Sequence, residues 1–581
     1  AAGPCAAGRR TECNPMILRR TYSDSAAAAL AASGRHPVLS RIWAARGIST
    51  PETLERGLDR LIPVAALTRA DALAEVLADA VETGRRLLIV GDYDADGATA
   101  AAVGVLALRR FGATVDSLVP NRFEYGYGLT PEIVRVAAER RPDFIVTVDN
   151  GIASLEGVDE ARRLGIEVLV TDHHLPGPEL PAARVIVNPN QPGCAFPSKH
   201  LAGVGVMFYA MLALRAELRR RGAFSSAPEP NLAEYLDLVA LGTVADVVPL
   251  DHNNRILVAQ GLARMRAGRT RPGIAALAEA AGRTLDRATA QDLGFLLGPR
   301  LNAAGRLEDM AVGVECLVTS DPARARELAQ RLDGLNRERR EIEGDMQQQA
   351  MAAAETVDAA GAHSLVLHDA GWHQGIVGLL ASRLREKFHR PTFCFAPGGA
   401  GELKGSGRSI SGLHLRDALD RVDRRCPGLL LRFGGHAAAA GASLRPEGID
   451  TFRTAFEAVA AELLTPADLE EVIETDGPLA PAEFDLGLAE ALRDEVWGQG
   501  FPPPAFSGEF QVCSQRVVGG HHLKLELRPA EAGPRTPPLP GILFRQSEPL
   551  PDRIHAVYRL DVNEWNGSRS LQLVVSHWKP A

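Results

Sequence analysis

The chain has 581 residues, 46% of them hydrophobic and 23% charged, with a formal net charge of −8. That length exceeds what one hydrophobic core supports and implies three or four domains of ordinary globular composition. The acidity argues against a protein that coats duplex DNA non-specifically, confines any nucleic-acid contact to a local groove, and by itself favours a small-molecule enzyme.

Residues 1–60 are read as a leader followed by a helical segment; residues 1–15 contain arginines but no apolar stretch of the kind a signal peptide carries. From about residue 70 to 190 helical and strand patterns alternate. Helical "DALAEVLADAVETG" precedes strand "RLLIV", followed by helical "AAAVGVLALRRFG", strand "ATVDSLV", helical "TPEIVRVAAERR" and strands "DFIVTV" and "IEVLVT". Short apolar runs separated by helices predict βαβ units and a parallel sheet covered on both faces. Leu201 to Leu214, the longest uncharged run, is shorter than the ~20 residues of a membrane span and reads as a buried helix. Residues 232–320 are mostly helical in pattern and complete a first α/β domain over 61–320.

Residues 321–357 place Leu328, Leu332, Leu335, Ile342 and Met346 on one helical stripe, predicting one long amphipathic helix that joins two domains. A second α/β unit follows over 358–460, from "SLVLHD" to a glycine-rich end. Within 461–581, residues 505–578 read as short alternating strands with polar turns, the pattern of a small β-barrel. The seven cysteines are scattered without a C-x-x-C pair, against a thiolate zinc site or a secreted disulfide framework. A cytoplasmic protein with no membrane association is expected.

Chemistry gathers where the strands of the first sheet end. "LLIVGD" ends at Asp92, "FIVTVD" at Asp149 and "VLVTD" at Asp172, with Asp94 and Asp96 close behind the first, His173 and His174 behind the third, and Asp246 ending "LGTVAD". In open α/β sheets ligands bind beyond the carboxyl ends of the strands, so parallel neighbours would bring these acids together. Such a cluster is costly unless a cation sits in it. Carboxylates with one or two imidazoles suit Mn²⁺ or Mg²⁺, and this many acids suit a pair of ions ~4 Å apart that activates water against a phosphoester. The bland alternative for any single acid is a helix cap.

"DYDADG" (92–97), "VDNG" (148–151), "TDHH" (171–174) and "GTVAD" (242–246) resemble the successive motifs of the DHH phosphoesterase superfamily. With "NRFEYGYGL" (121–129), "GPRLNAAGR" (298–306), "GSGRSI" (405–410) and "GGHAAAAG" (434–441), the order is similar to the RecJ family of single-stranded-DNA-specific 5′→3′ exonucleases. The resemblance implies a DHH catalytic domain with a helical insert at 61–320, the linking helix at 321–357, a DHHA1 domain at 358–460 and an OB-type barrel at 461–581. It implies that Asp92, Asp94, Asp149, His173 and Asp246 hold two Mn²⁺ or Mg²⁺ ions, with Asp149 bridging. Asp96 is a weaker candidate, with helix capping as its alternative. Asp172 would orient the site, and His174 would stabilise developing charge or protonate the leaving oxygen. Leu88 stands where some superfamily members have a histidine, so one ion would be held more loosely.

On the substrate side the resemblance assigns Arg122, Arg306, Ser406 and Arg408 to the strand's path or a 5′-phosphate pocket, where arginine's planar fork suits phosphate. "LNAAGR" reads as a glycine-bearing turn, and the glycines of "KGSGRS" as amides able to surround an anion. His436 would meet a phosphate; Asn302 reads as a ligand contact or a backbone cap. Residues 401–440 carry seven basic and four acidic side chains, a local excess in an acidic chain. In the barrel Phe544, Tyr558 and Trp565, near Lys524, Arg528 and Arg545, are candidate base-stacking residues, with burial in the barrel core as the alternative. "RDEVWGQGFPPPAF" (493–506) departs from the family's usual approach to the barrel. Single-strand-binding protein and a helicase are implied as partners of a monomer. The rival readings are a phosphodiesterase of short or cyclic oligonucleotides and a catalytically silent DNA-binding scaffold.

Overall fold

A computed structural model describes residues 15–121, 125, 127–356, 361–565 and 567–581. The first lobe is built on strands β1 (Arg86–Gly91), β2 (Thr114–Leu118), β3 (Phe144–Val148), β4 (Glu167–Thr171) and β5 (Val185–Val187). They form one all-parallel sheet in the order β2-β1-β3-β4-β5. Successive residues of β1 serve opposite faces. Leu87 and Ile89 enter the core shared with the helices Ala95–Arg110 (α1) and Gly203–Arg220 (α2), whereas Leu88 and Val90 enter the core under Pro131–Glu139 and Leu155–Arg163. A strand covered on both sides is continuously apolar, which is why it is legible as "RLLIV". The edge strand β5 is too short to register in the sequence pattern.

Leu201 to Leu214 contributes most of α2, a buried helix as expected. The insert that follows is helical and includes α3 (Leu236–Ala245) and α4 (Gly298–Leu307). Helix α5 (Pro322–Thr356) has 35 residues, about 50 Å of rise. Leu328 and Leu332 pack into the first lobe, and Met346 packs into the core of the second. Between them the inward face turns polar. Asp333 pairs with Arg300 at 2.9 Å, and Glu343 pairs with Arg339 and, at 3.1 Å, with Arg383 of α6 (Val377–Phe388).

The second lobe holds β6 (Leu365–His368), β7 (Thr392–Pro397), β8 (Leu403–Arg408), β9 (Leu430–Gly435) and β10 (Ala439–Leu444), in the order β9-β10-β8-β7-β6. Only β6 and β7 run parallel. The third unit is a closed barrel of β11 (Phe506–Val518), β12 (His522–Pro529), β13 (Leu539–Leu543), β14 (Arg553–Trp565) and β15 (Ser568–Pro580). Its core takes Tyr558, 1% exposed and packed against Phe506 and Phe510. Tyr558 is therefore not a stacking surface, since the alternating pattern points it inward. Phe544 is exposed, and the Trp565 side chain lies outside what is described.

The segment before the barrel docks on the first lobe. Leu250 N–H donates to Gln499 O at 2.7 Å, and the Arg255 guanidinium lies 4.3 Å from the Phe501 ring centre.

Candidate metal centre

The strand order reverses between β1 and β3, and a crevice opens at such a reversal beyond the strand ends. Asp92 follows β1, Asp149 follows β3 and Asp172 follows β4, and all three are buried. Asp94 caps α1: its Oδ1 accepts from Asp96 N–H at 2.9 Å and Gly97 N–H at 3.0 Å. Asp149 sits at φ +62°, in the left-handed region that Asp and Asn tolerate best among side-chain-bearing residues.

His173 Nε2 lies 3.0 Å from Asp149 Oδ1 and 3.5 Å from Asp246 Oδ2. All three atoms are buried without a hydrogen-bond partner. Buried polar atoms left so in concert are costly, and a cation among them would satisfy every one. Three sets of potential ligands lie within 4.8 Å of one another: Asp92, Asp94 and Asp149; Asp96, His173 and Asp246; and Asp149, His173 and His174. The donor set is hard oxygen with imidazole, which fits Mn²⁺ or Mg²⁺. Burial and the neighbouring His174 push the His173 imidazole down to about 4, so it is neutral and offers a lone pair. Burial, then the surrounding acids, pushes the Asp149 and Asp246 carboxyls well above the usual range.

Asp96 is fully buried and spends both oxygens on the start of α2, accepting from Gly203 N–H at 2.6 Å and Val204 N–H at 2.8 Å. It thus caps the helix packed beside its own. Burial and Asp94 push its carboxyl up to about 7.

Asp172 orients the two histidines. Its carboxylate accepts from Ile152 N–H at 2.9 Å and His173 N–H at 2.7 Å, and meets His174 Nδ1 at 2.8 Å. Burial opposes a charge on His174, but the bond and charge of Asp172, helped by Asp92 and Asp94, lift that imidazole to about 9. The Tyr127 hydroxyl lies 3.2 Å from His174 Nε2, a contact that sequence reasoning missed although Tyr127 lies inside "NRFEYGYGL". Asp172→Asn is expected to lower kcat about 100-fold with KM nearly unchanged and to lower the melting temperature, because the amide has one acceptor oxygen where Ile152 N–H and His173 N–H use two, and it cannot hold the imidazolium. Single-turnover assays beside thermal unfolding check this. A kcat within a few-fold of the parent would sink it.

Residues 298–307 are helix rather than turn. Gly305 is required because a Cβ there would lie 1.8 Å from Tyr93 O, so the glycine admits the metal-site loop and not a ligand. Asn302 Oδ1 accepts Ala95 N–H at 2.7 Å and steadies the same loop. Arg306 reaches the second lobe, its Nη1 donating to Gly375 O at 3.4 Å. "KGSGRS" also differs from expectation: its glycines lie in β8, between β7 and β10, with their amides in the ladder and the Phe393 and Phe395 rings against them.

What β8 offers is Arg408. Its Nη1 donates to Ser406 Oγ at 3.0 Å and Gly407 O at 2.8 Å. Among the described residues no carboxylate pairs with it, and burial followed by Arg385 lowers its affinity for the proton. Burial, then the charge of His174, lowers the proton affinity of His436, which lies in the β9–β10 turn of the second lobe within electrostatic reach of His174. Arg122 lies outside the described residues.

Comparison with known proteins finds three family models matching successive parts of the chain. The DHH family N-terminal domain matches residues 86–243, the DHHA1 domain 358–462 and the RecJ OB domain 475–577. The single-stranded-DNA-specific exonuclease RecJ of Dickeya dadantii is 54% identical over 94% of this chain and 96% of its own. That of Escherichia coli is 52% identical over the same shares. The crystal structure of RecJ with Mn²⁺ from Thermus thermophilus superposes with a TM-score of 0.82 at 31% identity, covering 99% of this chain and 80% of that one. The Mg²⁺ complex superposes with a TM-score of 0.75 at 29% identity, covering 99% of this chain and 79% of that one. Half-identical relatives aligned end to end, over three matching domains and a hard-cation site at the sheet's switch point, leave one assignment: the chain belongs to the RecJ family of single-stranded-DNA-specific exonucleases.

Proposed function

We propose that this chain is a metal-dependent exonuclease that hydrolyses single-stranded DNA from its 5′ end, releasing 5′-mononucleotides in recombination and repair. The observation that carries the reading is the convergence of Asp149 Oδ1, His173 Nε2 and Asp246 Oδ2 in the first lobe, buried and unbonded. Asp92, Asp94, Asp149, His173 and Asp246 would hold Mn²⁺ or Mg²⁺. When bound, such ions supply Lewis acidity and an activated water.

The chain's own groups do the rest. His174, kept charged by Asp172, stabilises charge on the phosphoryl oxygens or protonates the leaving oxygen. Arg408, Ser406 and Arg306 hold the terminal phosphate, and His436 meets the next one. Asn302 holds the loop from Asp92 to Asp96 in place. Lobes fixed apart by α5 leave a passage that admits one strand and excludes a duplex. The enzyme acts as a cytoplasmic monomer beside single-strand-binding protein and a helicase; no described helix is long and apolar enough to cross a membrane.

The test is digestion of a 5′-phosphorylated, 3′-labelled oligonucleotide with Mn²⁺, then with EDTA. A ladder on the single strand alone, abolished by EDTA, is expected. Digestion from the 3′ end or equal attack on duplex would overturn the reading, and cleavage confined to dinucleotides would point to a small-substrate phosphodiesterase.

A further inference from the structure

Beside Asp246 the first lobe leaves two large apolar side chains bare. Phe295 is 71% exposed and Val247 61%. Neither stands on ordinary backbone. Val247 directly follows Asp246 and has φ +63°, a conformation that a β-branched residue adopts only where its surroundings impose it. Phe295 is the middle residue of a π-helical turn, Leu293–Leu297, a distortion that recurs at functional sites. Leu293 and Leu297 anchor that turn in the core and leave Phe295 outside.

The turn rests on the last residues of α3. A Cβ on Gly294 would come 3.2 Å from Val244 Cγ1, and one on Gly298 would come 3.1 Å from Ala245 Cβ. The next residue of the chain is Asp246, whose Oδ2 is 3.5 Å from His173 Nε2. The exposed ring therefore stands on the helix end that delivers a metal ligand. Isolated exposed apolar residues are common and need no explanation. Here, however, the exposure coincides with two backbone irregularities at the rim of the metal centre.

We propose that Phe295, with Val247 on the same helix end, is a platform on which one base of the DNA strand stacks close to the scissile phosphate. The inference rests on the exonuclease reading and deepens it. Every base has a π face, so one aromatic surface holds any nucleotide and suits an enzyme that advances regardless of sequence. Stacking would fix the strand's register against the metals after each cleavage, and a ring mounted on an anchored turn loses little freedom in doing so.

The experiment compares the parent with Phe295→Ala, Phe295→Leu and Phe295→Trp on 5′-phosphorylated strands that are intact or carry one abasic site, moved position by position from the 5′ end. Intact-strand kcat/KM should fall about tenfold in Phe295→Ala and stay low in Phe295→Leu. It should return in Phe295→Trp, whose fluorescence should be quenched when an intact strand binds. One abasic position should slow the parent by a similar factor yet leave Phe295→Ala unaffected. Melting temperatures should match, since the ring is exposed. An equal loss on intact and abasic strands at every position, or full activity in Phe295→Ala, would overturn the platform. A parent that digests no single strand would overturn the exonuclease reading, and the platform with it.

Discussion

Asp149→Asn is expected to lower turnover by about 10³-fold or more and, at the same time, to raise the melting temperature of the metal-free protein. The two effects share one origin. Asp149 lies among Asp92, Asp94, Asp96 and Asp246, whose charges together with burial push its carboxyl well above the usual range. Without a cation that crowding opposes the fold, and an amide removes one member of it. Asparagine is the informative replacement because it tolerates φ +62° as aspartate does, whereas alanine would add a backbone cost of its own. Each kcal/mol relieved should appear as about 2–4 °C in a lobe of this size. Adding Mn²⁺ should reverse the ranking. The parent gains about 2.7 kcal/mol at a hundred times its Kd, and the variant, lacking one ligand, gains far less. Calorimetry with Mn²⁺ and with EDTA, beside single-turnover hydrolysis, reads both. A variant that turns over within tenfold of the parent, or that melts lower than the parent in EDTA, would remove Asp149 from the metal site.

What the sequence reveals about this site, and what it conceals, follows from range. Asp92, Asp149 and Asp172 are legible because each ends a continuously apolar run, and strand ends of a parallel sheet meet at one edge. The long helix is legible because its stripe of Leu328, Leu332 and Met346 keeps one face over many turns. Glycines are legible as close approaches but not as to their partner. Gly305 admits the Tyr93 carbonyl, and Gly405 and Gly407 admit phenylalanine rings, where an anion is the natural guess. Asp96 could be suspected as a cap, but the helix it caps begins at Gly203, more than a hundred residues on. Tyr558 and Phe544 look alike as aromatics in a strand-rich stretch, but Tyr558 lies within β14 and points into the barrel, whereas Phe544 follows the end of β13 and is exposed. Phe295 carried no signal, because a π turn has no periodicity of its own in "LGFLL".

Arg408→Met is expected to repeat the pattern of Asp149→Asn with the opposite charge. The guanidinium sits on a central strand with Ser406 Oγ and Gly407 O as acceptors, no described carboxylate as partner, and Arg385 as a like-charged neighbour. A half-buried cation held this way, without a counter-charge, is unfavourable until an anion arrives. Methionine keeps the unbranched shape and removes the charge, so the free protein should melt higher. The functional loss should be about 100-fold in kcat/KM on 5′-phosphorylated single strands, the scale of a lost charged hydrogen-bonded pair. The preference for a 5′-phosphate over a 5′-hydroxyl should vanish with it. Arg408→Lys, which keeps the charge but loses the fork, should restore only part of that preference. Competition between 5′-phosphorylated and 5′-hydroxyl strands, with unfolding curves of the same samples, measures both effects. If the preference survives in Arg408→Met, the terminal phosphate is held elsewhere. If it is lost while the melting temperature rises, the acids of the first lobe and the arginine of the second are alike in kind: each is costly alone, and each becomes favourable only with metal and phosphate between them.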